Sequence, residues 1–293
     1  MQPTIKRAIY LGAAAILLAM LATACQGSDS AKVLAIAGIP DQNASTLARR
    51  YEVLTSYLSE ELGVEVEYVP TVNYAAAVTG FEQGDIQMAW FGGLTGVQAR
   101  LAAPGSRAIA QRPRDTEFHS KFIIQADVTA EGLGDLKGLT FTFGSESSTS
   151  GHLMPRHFLR QEGVDPDADF NGPPSYSGSH DKTWKLVEGG AFQAGVLSEA
   201  VWDSAVEGGR VDLSKVRVLE TTAPFFDYNW TIRGDLDDTF GNGFSNRLRD
   251  ALLSIDDEQA EILELFSTDS FIASDNSNYD SIREVAESLG IVK

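Results

Sequence analysis

Residues 144–155 read GSESSTSGHLMP. Three consecutive hydroxyls, Ser148, Thr149 and Ser150, run into Gly151 and then into a helical pattern. Capping a helix would employ one of them. The first turn of a helix leaves its N–H groups unpaired and carries about half a positive charge. Three hydroxyls added there make an uncharged cradle for an anion, and Gly151 lets the backbone come close to it. Two more loops share the layout. Trp90-Phe91-Gly92-Gly93-Leu94-Thr95 joins a strand to a helix and bares backbone N–H groups at its glycines. Tyr176-Ser177-Gly178-Ser179-His180-Asp181 opens another helix, where His180 can donate to an anion and Asp181 can bias its protonation. Tyr74, just after Val69-Pro70-Thr71, offers a phenol donor. Taken one at a time, the glycine pair is equally a tight turn, His180 a surface histidine and Tyr74 a core side chain.

Other chemistries fit less well. There is no GxSxG elbow for an activated serine, and neither GxGxxG nor GxxxxGK[ST] occurs, so no nucleotide cofactor is expected. His152 and His157 stand five apart, on different faces of a helix, which is poor spacing for a metal site. No cofactor is therefore expected. The formal net charge is −18. Residues 234–293 carry fourteen acids against four bases, a net of −10, read as the solvated face of C-terminal helices. Nucleic acid is excluded as a partner, because phosphate-backbone binding needs a basic patch. An anionic ligand has to be held by local dipoles.

The elements that would position these loops alternate. Residues 33–39 form an apolar strand, and Asn43 or Ser45 caps a helix whose Leu47, Tyr51, Leu54, Leu58 and Leu62 share one face until Gly63 stops it. A strand at 64–68, a helix at 74–83, a strand at 86–91 and a helix at 95–102 follow. The pattern restarts with strands at 122–126 and 139–143, helices at 151–161 and 179–188, and strands at 194–197 and 216–220. Three acidic helices, at 246–255, 258–271 and 281–289, finish the chain. This is an α/β fold: two α/β lobes joined by extended segments near 110–124 and 223–232, a two-segment hinge with a cleft between the lobes. The lobe boundaries are 32–115 plus 228–293 for the first and 116–227 for the second.

The N-terminus reads as an export signal. Lys6 and Arg7 precede an uncharged apolar run at 8–24 and small residues before the single cysteine, Cys25. Residues 1–24 are read as a signal peptide. Ala22-Thr23-Ala24-Cys25 resembles a bacterial lipobox, with Leu21 one place early. Cys25 would then carry lipid, and residues 25–31 would be its tether. One cysteine allows no disulfide framework.

Together, Tyr74, Phe91-Gly92-Gly93, Ser148-Thr149-Ser150-Gly151 and Ser179-His180-Asp181 resemble the substrate-binding lipoproteins of bacterial ABC importers in the phosphate/phosphite/phosphonate branch. Residues 39–100 look closest to the selenate-binding subgroup. The resemblance implies a type II periplasmic-binding fold and a monomer that captures a small tetrahedral oxyanion and delivers it to a permease with its ATPase, anchored at the membrane by lipid. It also implies ligand-binding roles for Ser148, Thr149, Ser150 and His180 from the second lobe, and for Tyr74, Phe91, Gly92 and Gly93 from the first. Two departures stand out. Ser198 occupies the place where aminophosphonate-binding relatives carry a carboxylate, and Phe91 stands where relatives often have Tyr. A cradle of donors alone favours fully ionised selenate or sulfate; a carboxylate among the donors favours a protonated phosphorus species. Two rival functions on such a scaffold are a secreted Ser-dependent hydrolase and a ligand-sensing subunit.

Overall fold

Strand β1 (Val33–Gly38) is apolar along its length because both of its faces are covered. The structure, a computed structural model, describes residues 32–292. The signal peptide, Cys25 and the tether expected over 1–31 lie outside the described residues. Helix α1 (Ala44–Leu62) buries Leu47, Tyr51, Leu54, Leu58 and Leu62 on one stripe. Asn43, not Ser45, caps it by accepting from the Thr46 N–H at 3.0 Å, and Gly63 ends it at φ 67°. Only glycine fits at position 38, since a Cβ there would lie 1.7 Å from the Tyr51 hydroxyl. Strand β2 (Glu65–Tyr68), α2 (Tyr74–Gln83), β3 (Met88–Phe91), α3 (Gly93–Ala102) and β4 (Arg107–Gln111) follow. β1 pairs in parallel with β2 and β3.

The chain then crosses to a second sheet, built from β5 (Ser120–Gln125), β6 (Phe141–Phe143), α4 (Met154–Gln161), β7 (Ser175–Tyr176), α5 (His180–Glu188), β8 (Ala194–Ser198), α6 (Glu199–Glu207) and β9 (Val216–Thr221). Its strand order is β7-β6-β8-β5-β9. The two-residue period of β5 sends Phe122 and Ile124 to a core with Phe141, Phe143 and Leu159, and Ile123 to one with Trp184, Leu197 and Trp202. The chain returns through β10 (Asn229–Ile232), which slots antiparallel between β3 and β4. Helices α7 (Leu236–Phe240), α8 (Phe244–Leu253), α9 (Ala260–Phe266) and α10 (Asp280–Ser288), with the short edge strand β11 (Ile272–Ala273), complete a first sheet ordered β11-β4-β10-β3-β1-β2.

Four features depart from the sequence reading. β4 has no counterpart in the sequence pattern, which leaves residues 107–109 unassigned and starts the crossing segment near 110. α6 was also not expected; Ser198 caps it through the Val201 N–H. The helix expected at 258–271 is α9 alone, which stops at Ser267 in the left-handed region (φ 53°), so that residues 272–273 can pair with β4. The helix expected from Gly151 begins as a wide π-helical turn, Thr149–Leu153, before α4.

The two crossings between the sheets are hydrogen-bonded to each other. Phe118 and Phe225 exchange N–H···O bonds of 2.8 and 2.9 Å, and the Asp227 N–H donates to the Asp115 carbonyl at 3.1 Å. Beside them, Arg112 grips Asp115 through Nε and Nη2, both at 2.7 Å, and donates Nη1 to the Phe266 carbonyl at 2.8 Å. Its guanidinium lies 5.3 Å from the Trp90 ring and 5.0 Å from that of Tyr228. Burial pushes the Asp115 carboxyl up, and Arg112 opposes that. Removing one partner of such a pair leaves an uncompensated buried charge. Arg112→Leu should therefore lower stability in urea unfolding by about 3–5 kcal/mol, and the double replacement of Arg112 and Asp115 by leucine should recover most of the loss.

Candidate functional site

The loop from β6 to α4 holds the three hydroxyls, and each does something different. Ser148 is the cap: its Oγ accepts from the Gly151 N–H at 2.9 Å. Leu153 N–H reaches the Ser148 carbonyl five residues back at 2.9 Å, which makes the turn wide. Thr149 points to the other sheet, where its Oγ1 accepts from the Leu94 N–H at 2.9 Å. Ser150 is fastened by its carbonyl, which accepts from Ser120 Oγ at 2.7 Å. All three are at most 3 % exposed. Gly151 is required by packing, because a Cβ there would come 2.9 Å from Ser148 Oγ and 3.1 Å from Cε1 of His180. His152 braces the loop from behind: its Nδ1 bonds the Glu146 carbonyl at 2.7 Å, and its Nε2 accepts from Arg156 Nε at 3.0 Å.

Across from this loop, Gly92 and Gly93 lead into α3. A Cβ on Gly92 would lie 3.0 Å from Asp227 Oδ1 and 3.1 Å from Thr149 Oγ1, and one on Gly93 would lie 3.1 Å from the Phe226 carbonyl. The glycines thus permit contact between the two sheets' loops. The Gly93 N–H is already engaged, donating to Asp227 Oδ1 at 2.9 Å. Phe91 turns into the first core, edge-on to Phe81 at 5.5 Å between ring centroids. Tyr74 opens α2 behind its cap Asn73 and is 1 % exposed; its phenol oxygen has no hydrogen-bond partner. Burial, with Asp41 and Asp227 nearby, raises its pKa well above the ordinary value, so it stays a donor.

His180 sits at the start of α5, fully buried. Its N–H donates to the Asp41 carbonyl at 3.1 Å, and its Nδ1 accepts from the Ser198 N–H at 3.2 Å. An accepting Nδ1 places the proton of the neutral ring on Nε2, which is left as a donor. Burial pushes the imidazole down to about 4, against the pull of Asp41 and Asp181, so it is neutral at physiological pH. Asp181 is occupied elsewhere, accepting from Ser179 Oγ at 2.8 Å and pairing with Lys185 at 3.4 Å.

The sequence assigns only donors to the cradle; the structure adds two buried carboxyls beside them. Asp227, in the returning crossing, is 1 % exposed, and Asp41, after β1, is 3 % exposed. Burial pushes the Asp227 carboxyl up to about 7, although the Gly93 N–H and the hydroxyls of Thr149 and Ser150 favour its charged form. Asp41 Oδ2 accepts from the Tyr228 hydroxyl at 2.9 Å. Asp41 Oδ1, Asp227 Oδ2 and the Tyr74 hydroxyl are buried without a partner, which is costly unless something supplies one. Neither aspartate belongs to a motif. The available signals were an acid inside the aromatic run Phe225-Phe226-Asp227-Tyr228 and one at the carboxyl end of a strand, where ligands gather in open α/β sheets.

Comparison with known proteins agrees with this geometry. The family described as "ABC transporter, phosphonate, periplasmic substrate-binding protein" matches residues 36–279. A relative from Prochlorococcus marinus (strain MIT 9301), named "Probable ABC transporter phosphite binding protein PhnD1", is 42% identical over 271 residues, covering 89% of this chain and 91% of the relative. The solved structure of PhnD1 from that organism in complex with methylphosphonate superposes with a TM-score of 0.85, covering 89% of this chain and 99% of the other. The "Phosphate-import protein PhnD" of Mycolicibacterium smegmatis is 29% identical over 67% of each chain. A binding-protein component of a Pseudomonas aeruginosa phosphonate transporter, at 21% identity and a TM-score of 0.77 over 87% of this chain and 85% of that one, shares the fold. With two α/β sheets arranged as in these type II binding proteins and a family match across most of its length, the chain belongs to the periplasmic substrate-binding proteins of phosphonate ABC transporters.

Proposed function

We propose that the chain is the solute-binding component of an ABC importer and that it captures a small tetrahedral phosphorus oxyanion bearing one proton, of the phosphite or methylphosphonate class. The observation that carries this reading is Asp227, a buried carboxyl beside Thr149 that takes the Gly93 N–H on Oδ1 and keeps Oδ2 without a partner. Two anionic oxygens need a proton between them. A phosphorus oxyanion can supply that proton or share it, whereas selenate and sulfate are fully ionised. Binding of methylphosphonate by the PhnD1 relative supports the same class.

Tyr74, Ser148, Thr149, Ser150 and Nε2 of His180 would donate to the ligand's oxygens, Asp227 would face its protonated oxygen, and Gly92 and Gly93 would form the smooth wall of a closed cleft. The lobes, 32–115 plus 228–293 and 116–227, would close about the paired crossings and present the loaded shape to the permease and its ATPase. Five donors at about 1.5–3 kcal/mol each total about 7.5–15 kcal/mol, against the roughly −8 kcal/mol of a micromolar complex, and the upper part of that range also covers the cost of closure. A serine hydrolase would need a hydroxyl paired with a histidine. Among the described residues the histidine rings bond the Thr222 and Glu146 carbonyls, Arg156, the Tyr176 phenol, the Gln161 amide and the Ser198 N–H, and Nε2 of His180 is left for the ligand.

Three outcomes test the proposal. By titration calorimetry, phosphite or methylphosphonate should bind at least tenfold more tightly than selenate. Asp227→Asn should weaken the phosphorus ligands by about tenfold or more and narrow that gap, because a neutral amide cannot accept a shared proton as a carboxylate does. Tighter binding of selenate by the wild-type protein would overturn the ligand class.

The second test needs no ligand. The Asp227 carboxyl stays protonated to about 7 when folded but releases its proton near 3.8 when unfolded. The native state therefore binds more protons between these values, and this group's contribution to stability falls as pH rises from 4 to 7. Relative to Asp227→Asn, the wild-type protein should lose about 1.4 kcal/mol per pH unit across that window in denaturant melts, with no further loss above it. Third, lipid on Cys25 would hold the protein beside its permease, so Cys25→Ser should move it from the membrane to the soluble fraction.

A further inference from the structure

Helices α3 and α10 and the turn at 103–107 enclose a groove of about 410 Å³ that shares no residue with the cleft. Three guanidiniums line it, those of Arg100, Arg107 and Arg283, with one carboxylate, Asp280. This is unusual in a chain of net charge −18. Arg283 is paired with Glu287 at 2.7 Å. Among the described residues Arg100 has no carboxylate partner within ion-pair distance. Its Nη1 donates to Asn229 Oδ1 at 3.3 Å and Thr231 Oγ1 at 3.0 Å, and its plane lies 4.8 Å from the Tyr279 ring. Those contacts fix the guanidinium while Nε and Nη2 bond to nothing among the described residues. Burial lowers the Arg100 pKa to about 10, and Tyr279, Asp275 and Asp280 only partly offset this. Among the described residues Arg107, at the start of β4, has neither an ion pair nor a side-chain hydrogen bond, and Asp237 is an acid that feels its charge. Ser106, 5 % exposed, lines the same groove, and its Oγ is buried without a partner.

We propose that this groove is a second anion-binding site, which takes a phosphate or carboxylate group between Arg100 and Arg107 with Ser106 as a third donor. A pre-fixed guanidinium, a second unpaired one and an unsatisfied buried hydroxyl are the donors that planar or tetrahedral oxyanions use. Val97, Leu101 and the Tyr279 ring supply an apolar flank, so the group is presented by a larger molecule as readily as by a free ion.

The test follows backbone amide NMR signals of Gly105, Ser106 and Arg107 during titration with inorganic phosphate and, separately, with acetate, against sodium chloride at equal ionic strength. A dissociation constant of about 1 mM is expected, as two charge-assisted hydrogen bonds support. A saturable response to phosphate alone, or to acetate alone, identifies which group the site takes. Arg107→Ala should abolish the response and Arg283→Ala, on an exposed position, should weaken it several-fold, while signals of Gly92 and Gly93 report the cleft independently. The proposal is overturned if neither anion gives a saturable shift beyond that of chloride, or if the shift survives Arg107→Ala in a variant whose spectrum is otherwise native. Neither result bears on what the cleft binds.

Discussion

A carboxylate hidden from water is tolerated only where donors surround it, and Asp227 is the point at which that constraint organises the molecule. Its Oδ1 takes the Gly93 N–H from the first sheet, and the hydroxyls of Thr149 and Ser150 from the second favour its charge. The crossing strand that carries it is zipped to its neighbour through Phe118, Phe225 and the Asp115 carbonyl. The same residue therefore touches the loops of both sheets and sits in the paired crossings.

A buried cluster packs behind the paired crossings. Arg112 joins the Asp115 carboxylate, the Phe266 carbonyl and the faces of Trp90 and Tyr228 in one contact. Trp90 also stacks on Tyr228 at 5.5 Å and meets Trp230 at 5.1 Å. Both crossings are thereby packed into the core of the first sheet, through Phe118, Phe225 and Tyr228.

Much of this was readable in the residues. The stripe from Leu47 to Leu62, Asn43 before it and Gly63 after it obey local rules, so α1 was found almost to the residue. One capping hydroxyl with two to spare among Ser148, Thr149 and Ser150, Tyr74 at a helix start and His180 behind Ser179 are equally local. What escaped notice depends on partners far along the chain. The bond from Leu94 N–H to Thr149 spans 55 positions, and the one from Gly93 N–H to Asp227 spans 134. No periodicity encodes such meetings. The same holds for β4, a strand only because β10 and β11 flank it, and for α9, cut short by the demand that residues 272–273 reach a sheet edge.

The wide turn at Thr149–Leu153 acts as a phase shifter. An α-helix advances about 100° per residue, so the extra residue looped out there offsets everything before it from everything after. The hydroxyl row can spread its side chains toward two different sheets, while Met154, Arg156 and Leu159 keep their own inward orientation on α4. Deleting a single residue from that turn would bring the two registers into step, and the apolar stripe of α4 would rotate off the core to which it is fitted.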